Sequence, residues 1–241
     1  MLKKILDNLK TLTIALFIAI IIRSLLLQPF YIPSSSMEPT LLVGDRIFVS
    51  KYSYGYSKHS FPFSPPIMNK RIFNKEPKYG DLIVFKTPSD NRTDYIKRLI
   101  GLPGDKIQFI DGNLFINEKK ISKNEKNNLL PIRCGNNLSE VQIYEESKGK
   151  KKYNIAYNKV GSMINSDPYL VPLKHYFFLG DNRDCSRDSR FLSSVGYVHE
   201  DNLVGKAWII FFSNDTNISS LLKFWNWHNS MRSDRFLKLI K

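Results

Sequence analysis

The sequence predicts a mainly β protein carried on a single N-terminal membrane-spanning helix. Residues Thr11 to Gln28 (TLTIALFIAIIIRSLLLQ) form a nearly continuous apolar run, long enough at about 1.5 Å per helical residue to match a hydrocarbon core. After Pro29 the chain changes to short runs of alternating or β-branched residues separated by Gly, Pro, Asn and Asp. With 241 residues, 42% hydrophobic and 13% aromatic, a packed core is expected rather than disorder.

Lys3, Lys4 and Lys10 precede the apolar run, so the positive-inside rule places residues 1–10 in the cytoplasm and everything after Gln28 outside. A cleavable leader would need small residues after the run. Leu25, Leu26, Leu27, Phe30 and Tyr31 stand there instead, which favours an uncleaved anchor over 11–28. Arg23 costs about 2.5 to 3.5 kcal/mol at mid-bilayer, but near the outer end it snorkels to the headgroups. Residues 29–241 then form the extracytoplasmic domain, with 106–172 as an inserted subdomain.

Within that domain the expected strands are Arg46 to Lys51, Asp81 to Thr87, Tyr95 to Ile100, Tyr176 to Leu179 and Leu203 to Phe212. KIQFI-DG-NLFIN is a hairpin, because Asp111-Gly112 supplies the residues tolerant of positive φ that a type I′ turn requires. From Lys119 to Lys152 the chain is polar and lysine-rich, and reads as a solvated excursion without chemistry. Tyr52 to Tyr79 is aromatic and proline-rich, either a membrane-facing loop or a flap over the core. Leu221 to Lys241 alternates aromatic or aliphatic with basic residues, as a short interfacial helix does; a packing tail is the alternative.

The formal charge of +14 implies attraction to anionic partners, either nucleic acid or bilayer headgroups. No nucleic-acid-binding motif accompanies it. Cys134 and Cys185 are the only cysteines, too few for a disulfide framework or a cysteine-rich zinc site, though one bridge between them stays open. His59, His175, His199 and His228 lack ligand spacing, so neither a metal nor any other cofactor is expected.

Three segments carry candidate chemistry. The first, PSSSMEPTLLVGD after the anchor, places hydroxyls on a proline-bounded turn; read alone, such a turn is structural, and no G-x-S-x-G elbow is present. The second is YIKRLIGLPGD, where strand alternation sets Tyr95, Lys97 and Leu99 on one face. An ordinary lysine is only about 0.04% neutral at pH 7, so a basic Lys97 requires burial. The third, GDNRDCSRDSR (Gly180 to Arg190), is a charged loop placed abruptly after the apolar YFFL.

Together with GDLIVFK (Gly80 to Lys86), these segments occur in the order that type I signal peptidases show, and the chain resembles that family. The resemblance implies a signal-peptidase/repressor-type β core and a serine endopeptidase with a Ser/Lys dyad. Ser36 matches the nucleophile and Lys97 the general base. Ser34 matches a hydroxyl of the oxyanion hole, Ser186 the residue that orients the lysine, and Asp188 and Arg190 a supporting ion pair. Gly180 and Asp181 belong to the same wall. The implied substrates are exported preproteins cut after small residues of the Ala-x-Ala type. The implied location is the bacterial cytoplasmic membrane, single-pass, with the catalytic domain periplasmic in a Gram-negative cell. The implied partners are preproteins and the phospholipid bilayer, with neither nucleic acid nor metal.

Cys185 departs from the family pattern, which commonly has Asn before the serine matched by Ser186. A self-cleaving repressor shares this chemistry but carries a helix-turn-helix where this chain has an apolar run. The remaining alternative is a non-catalytic, basic, membrane-tethered binding protein.

Overall fold

In a computed structural model, residues 2–66, 68, 70–135, 137–157, 164–215 and 227–240 are described. Helix α1 (Leu2–Ile21) runs into a widened π-type turn, Ile22–Leu26, and the stretch Lys3–Leu26 is long and apolar enough to cross a membrane. The helix thus starts before the apolar run does. Leu27 and Gln28, the last residues of that run, are already in a strand.

The strands are β1 (Leu27–Tyr31), β2 (Asp45–Ser50), β3 (Leu82–Lys86), β4 (Asp94–Gly101), β5 (Lys106–Ile110), β6 (Asn113–Ile116), β7 (Lys119–Lys120), β8 (Ser122–Cys134), β9 (Asn137–Lys148), β10 (Lys151–Tyr157), β11 (Tyr169–Leu170), β12 (His175–Leu179), β13 (Val198–His199), β14 (Leu203–Ser213) and β15 (Lys238–Leu239). The largest sheet among the described residues has the order β1, β2, β14, β3, β4, β12, β13, with β15 also paired to β14. All five strands expected in the core lie in it, their ends within about a residue of the sequence reading.

Strand β3 shows why this sheet organises the domain. Its run LIVF is buried at every position, because both faces of the sheet are covered. Leu82 and Val84 join Ile47, Val49, Met37 and Leu41 on one side. Ile83 and Phe85 join Leu99, Phe178 and Tyr54 on the other, with Phe85 stacked on Phe178 at 4.6 Å between ring centres.

Residues 106–170 hold two further sheets, β11, β5, β6, β7 and β10, β9, β8. The β5–β6 hairpin turns at Asp111 and Gly112, with φ of 48° and 68°, both positive as a type I′ turn demands. The polar stretch 119–152 does not form a solvated excursion. It builds β8, β9 and part of β10, a long antiparallel ribbon. Its β8 edge is largely exposed and keeps it hydrophilic, while the β10 edge is buried against the loop after β12, and Ile132, Val141, Ile143 and Ala156 form a small core of their own.

The segment 52–79 is irregular, as its composition predicts, with one short 3₁₀ turn at Lys58–Ser60. Beyond β14, residues 221–226 lie outside the described part. The described remainder is not an interfacial helix: it holds a four-residue helix α2 (Trp227–Ser230), a 3₁₀ turn Ser233–Arg235 and β15. That tail packs onto the domain because β15 takes the edge of β14 that β3 leaves after Lys206. Arg235 then reaches Asp45, which is fully buried and also accepts from Ser213 Oγ and the Leu42 N–H.

Removing one partner from such a pair strands the other charge in the interior. Arg235→Ala should therefore lower unfolding stability by about 3 to 5 kcal/mol. Chemical denaturation of the variant against wild type reads this, and an unchanged midpoint would show that the tail is dispensable.

Candidate active site

The serine turn begins where β1 ends. Ser34 is extended, and Ser35–Met37 form one 3₁₀ turn. Met37 is fully buried and its carbonyl accepts from the Leu41 N–H at 2.9 Å, so the apolar side chain after Ser36 pins the turn to the core. Lys97 lies on β4 opposite Ile83 of β3 and is 4% exposed. Its Nζ donates to Ser36 Oγ at 2.5 Å across 61 residues of sequence. Ser34 Oγ lies 3.4 Å from the same oxygen.

Burial pushes the Lys97 ammonium down from its ordinary 10.5 to about 8, against the pull of the Asp188 and Asp181 carboxylates; Arg190 pushes it further down. Each of those carboxylates has its own arginine. Asp188 binds Arg190 through both oxygens, at 2.8 and 2.9 Å, and accepts the Gly180 N–H at 2.9 Å. Asp181 binds Arg98 in the same forked way, at 2.7 Å to each oxygen, and accepts from Thr40 Oγ1 at 2.5 Å.

The loop after β12 is stapled to the serine turn by Asn182, whose backbone N–H donates to Ser36 O at 3.2 Å and whose side chain donates to Ser35 O at 3.3 Å. Ser186 comes to the same wall, but its buried hydroxyl makes no hydrogen bond, so the bond to Lys97 that the resemblance implies is not formed here. Gly180 leaves the space that Ser186 fills. A Cβ there would collide with Ser186 Oγ and come within 2.5 Å of Ser36 O.

One participant carried no sequence signal at all. Glu146 lies in the ribbon stretch read as having no chemistry, yet it is buried and binds Arg183 of the loop at 2.6 and 2.5 Å. Arg98 was visible as a neighbour of Lys97, but its partner Asp181 is 83 residues away. The two cysteines form a disulfide with Cα atoms 5.6 Å apart, tying the end of β8 to the loop, and Cys185 Sγ lies 3.5 Å from Ser35 Oγ.

An open cavity of about 450 Å³ is lined by Ser36 and Lys97. Phe30, Ile32, Val84 and Ile96 give it apolar walls, and Asp94 and Arg187 are charged members of its lining. A buried hydroxyl beside a lysine of lowered pKa, at the end of an apolar cleft, is equipped for nucleophilic attack on a peptide carbonyl. Residues 5–212 match the family model described as signal peptidase, peptidase S26. The chain belongs to that family. It is a serine peptidase, and its relatives cover nearly its whole length. It is 42% identical over 237 residues to the signal peptidase I of Rickettsia conorii, covering 92% of this chain and 88% of that one. To the signal peptidase I of Rickettsia typhi it is 41% identical over 242 residues, with 94% and 90% covered. A solved signal peptidase I from Enterococcus faecalis V583 is 26% identical, covering 55% of this chain and 97% of that one, at a TM-score of 0.33.

Gly180→Ala must push Ser186 or the Ser36 carbonyl aside. A displacement of about 1 Å at a reacting group costs on the order of 100-fold in rate. Steady-state cleavage should show that loss in kcat/KM with the circular dichroism spectrum unchanged; full activity would mean the wall yields without disturbing the serine turn.

Proposed function

We propose that this peptidase removes N-terminal signal peptides from exported preproteins through a Ser36/Lys97 dyad, cutting after small residues of the Ala-x-Ala type. The observation that carries the reading is the 2.5 Å approach of a buried lysine amine to Ser36 Oγ. Neutral Lys97 takes the Ser36 proton as the oxygen attacks the scissile carbonyl, then gives it to the leaving amine as the C–N bond breaks, so that an acyl-enzyme forms, the mature chain departs and the amine is neutral again. The Ser36 N–H and Ser34 hydroxyl stabilise the oxyanion, and Lys97 then activates the water that deacylates Ser36. Asp188, Arg190, Asp181 and Gly180 hold the wall that keeps water away from the amine, and Ser186 takes up the lysine when the substrate arrives.

Strand pairing supports the substrate geometry. On β4, β12 pairs only from Arg98 onward, so Asp94 to Lys97 have β3 on one side and an open edge on the other among the described residues. An extended peptide adds there as a strand and presents alternate side chains to the cleft. The apolar helix anchors the enzyme in the cytoplasmic membrane. Lys3, Lys4 and Lys10 orient its N-terminus to the cytoplasm, and the disulfide suits an oxidising extracytoplasmic compartment.

Detergent-solubilised enzyme should cleave a preprotein bearing an Ala-x-Ala site, whereas Ser36→Ala and Lys97→Ala should each lose at least about 1,000-fold, as members of a catalytic unit do. Residual cleavage near wild-type level in either variant overturns the dyad. Replacing the two alanines of the cleavage site by leucine should abolish cutting if the cleft selects small residues.

The pH profile follows from the sign of the shift. A base must be unprotonated, and Lys97 is protonated below about 8. Consequently kcat/KM should fall about tenfold per pH unit below that value and level off above it. A profile flat from about pH 6 to 9 would rule out a titrating Lys97 as the base.

A further inference from the structure

A second open cavity, of about 500 Å³, lies where the apolar helix meets the β domain. Arg23 from the widened turn ending the helical stretch, Lys58 from the 3₁₀ turn, and Lys86 and Arg92 from around the β3–β4 loop all line it. Four cations therefore face two carboxylates, Asp90 and Asp94. Lys86 is taken by Asp94 at 2.9 Å. Asp90 is occupied by the hydroxyls of Thr87 and Thr93 and the N–H groups of Arg92 and Thr93. Arg23, Lys58 and Arg92 make no ion pair among the described residues. His59 adds no charge near neutrality, since burial and the neighbouring Lys58 push it down to about 4.

The opposite lip is apolar. Phe61, Pro62 and Phe63 form it, and Phe63 is 104% exposed. Phe63 and Ser64 both sit at positive φ, 62° and 50°, a conformation that costs energy for a non-glycine residue and here holds a phenyl ring wholly out of the protein. The lip is also built in place. Lys51, 2% exposed, donates from Nζ to the Ser60 carbonyl; Ser57 and Ser60 cap the turn reciprocally; and Tyr56 Oη donates to the Leu25 carbonyl at 2.9 Å, joining the loop to the helix end.

We propose that this cavity binds the phosphate headgroup of an anionic membrane phospholipid, with Arg23, Lys58 and Arg92 around the phosphate and Phe61 and Phe63 among the first acyl carbons. The assignment rests on the reading that Lys3–Leu26 spans the bilayer, since that places Arg23 and the aromatic lip at headgroup level. Unpaired cations at that depth attract anionic lipids. A soluble phosphate would need the cations alone; a fully exposed phenyl ring beside them is useful only to a ligand with an apolar tail.

The test uses the full chain in neutral detergent, titrated with short-chain phosphatidylglycerol, short-chain phosphatidylcholine or glycerol 3-phosphate, bound ligand being counted by native mass spectrometry. Phosphatidylglycerol should be retained at about tenfold lower concentration than phosphatidylcholine. The Lys58→Gln/Arg92→Gln double variant should lose that margin, and Phe63→Ser should weaken both lipids. Equal retention of the two lipids, or an unchanged margin in the double variant, overturns the proposal. Glycerol 3-phosphate competing as well as the lipid would make this a free-phosphate site and overturn the lipid assignment. Unchanged thermal unfolding and preprotein cleavage by the double variant in detergent verify its fold, because neither residue belongs to the dyad. Spanning is read separately, by recovery of wild-type protein in alkali-washed membranes, so its failure is distinguishable from failure of the headgroup site.

Discussion

Lowering the pKa of one buried amine beside a hydroxyl is the constraint on which the rest of this structure depends. Lys97 gains its depressed pKa from burial, and the shift from 10.5 to about 8 corresponds to about 3 kcal/mol set against the ammonium form. Two buried carboxylates stand close enough to reverse that effect. They do not, because burial outweighs them, and each is held by its own arginine, Asp181 by Arg98 and Asp188 by Arg190, in a forked pair. Arg190 adds to the downward push, and desolvation is the largest effect on the lysine. Lys51 shows that burial alone does not make a catalytic base. It too is pushed down to about 8, by burial and then by Arg23, yet its amine is spent on the Ser60 carbonyl.

The fold meets this constraint from three directions. The large sheet supplies a lysine whose flanks are already covered, because β3 beside it is buried on both faces. The serine turn is fixed by Met37 in the core and by Asn182 from the opposite loop. The loop itself is braced from outside the large sheet: Glu146 on β9 holds Arg183, whose carbonyl accepts from Arg190, while Cys134 on β8 holds Cys185. The polar ribbon is thus a buttress for the site wall, and its hydrophilic outer surface hides that role.

What was legible in the sequence follows from how local each feature is. The hairpin at Asp111-Gly112 is written in two residues whose backbone preferences decide the turn, and the five core strands are written in β-branched runs with breakers at both ends. The meeting of Ser36 with Lys97 was legible only through the motif resemblance, since 61 residues separate them. Strands β8 and β9 were missed because a two-sided polar ribbon lacks a continuous apolar stripe, and its few inward residues are diluted by lysine, asparagine and glutamate. The Glu146–Arg183 pair was invisible for the same reason: nothing near Glu146 distinguishes a buried acid from a solvated one. The C-terminal alternation of basic and apolar residues fits an amphipathic helix and an edge strand equally in so short a segment, and the vacant edge of β14 decided the outcome.

The order of elements along the chain also fixes how far Ser36 can lie from the apolar helix. Ser36 follows the end of the helical stretch at Leu26 by ten residues, five of them in β1 and the rest in the extended link and first turn. Ten residues reach at most about 35 Å even fully extended, and pairing of β1 with β2 folds that length against the domain. Ser36 is therefore leashed to the end of the apolar helix. In the proposed function, a substrate whose own apolar segment lies in the same bilayer would present its cleavage site within that reach, while a freely diffusing peptide would have to find the cleft unaided. On that reading, proximity to the membrane and selection of small side chains would be separate filters: the short leash would impose the first, and the apolar cleft between β1 and the open edge of β4 the second.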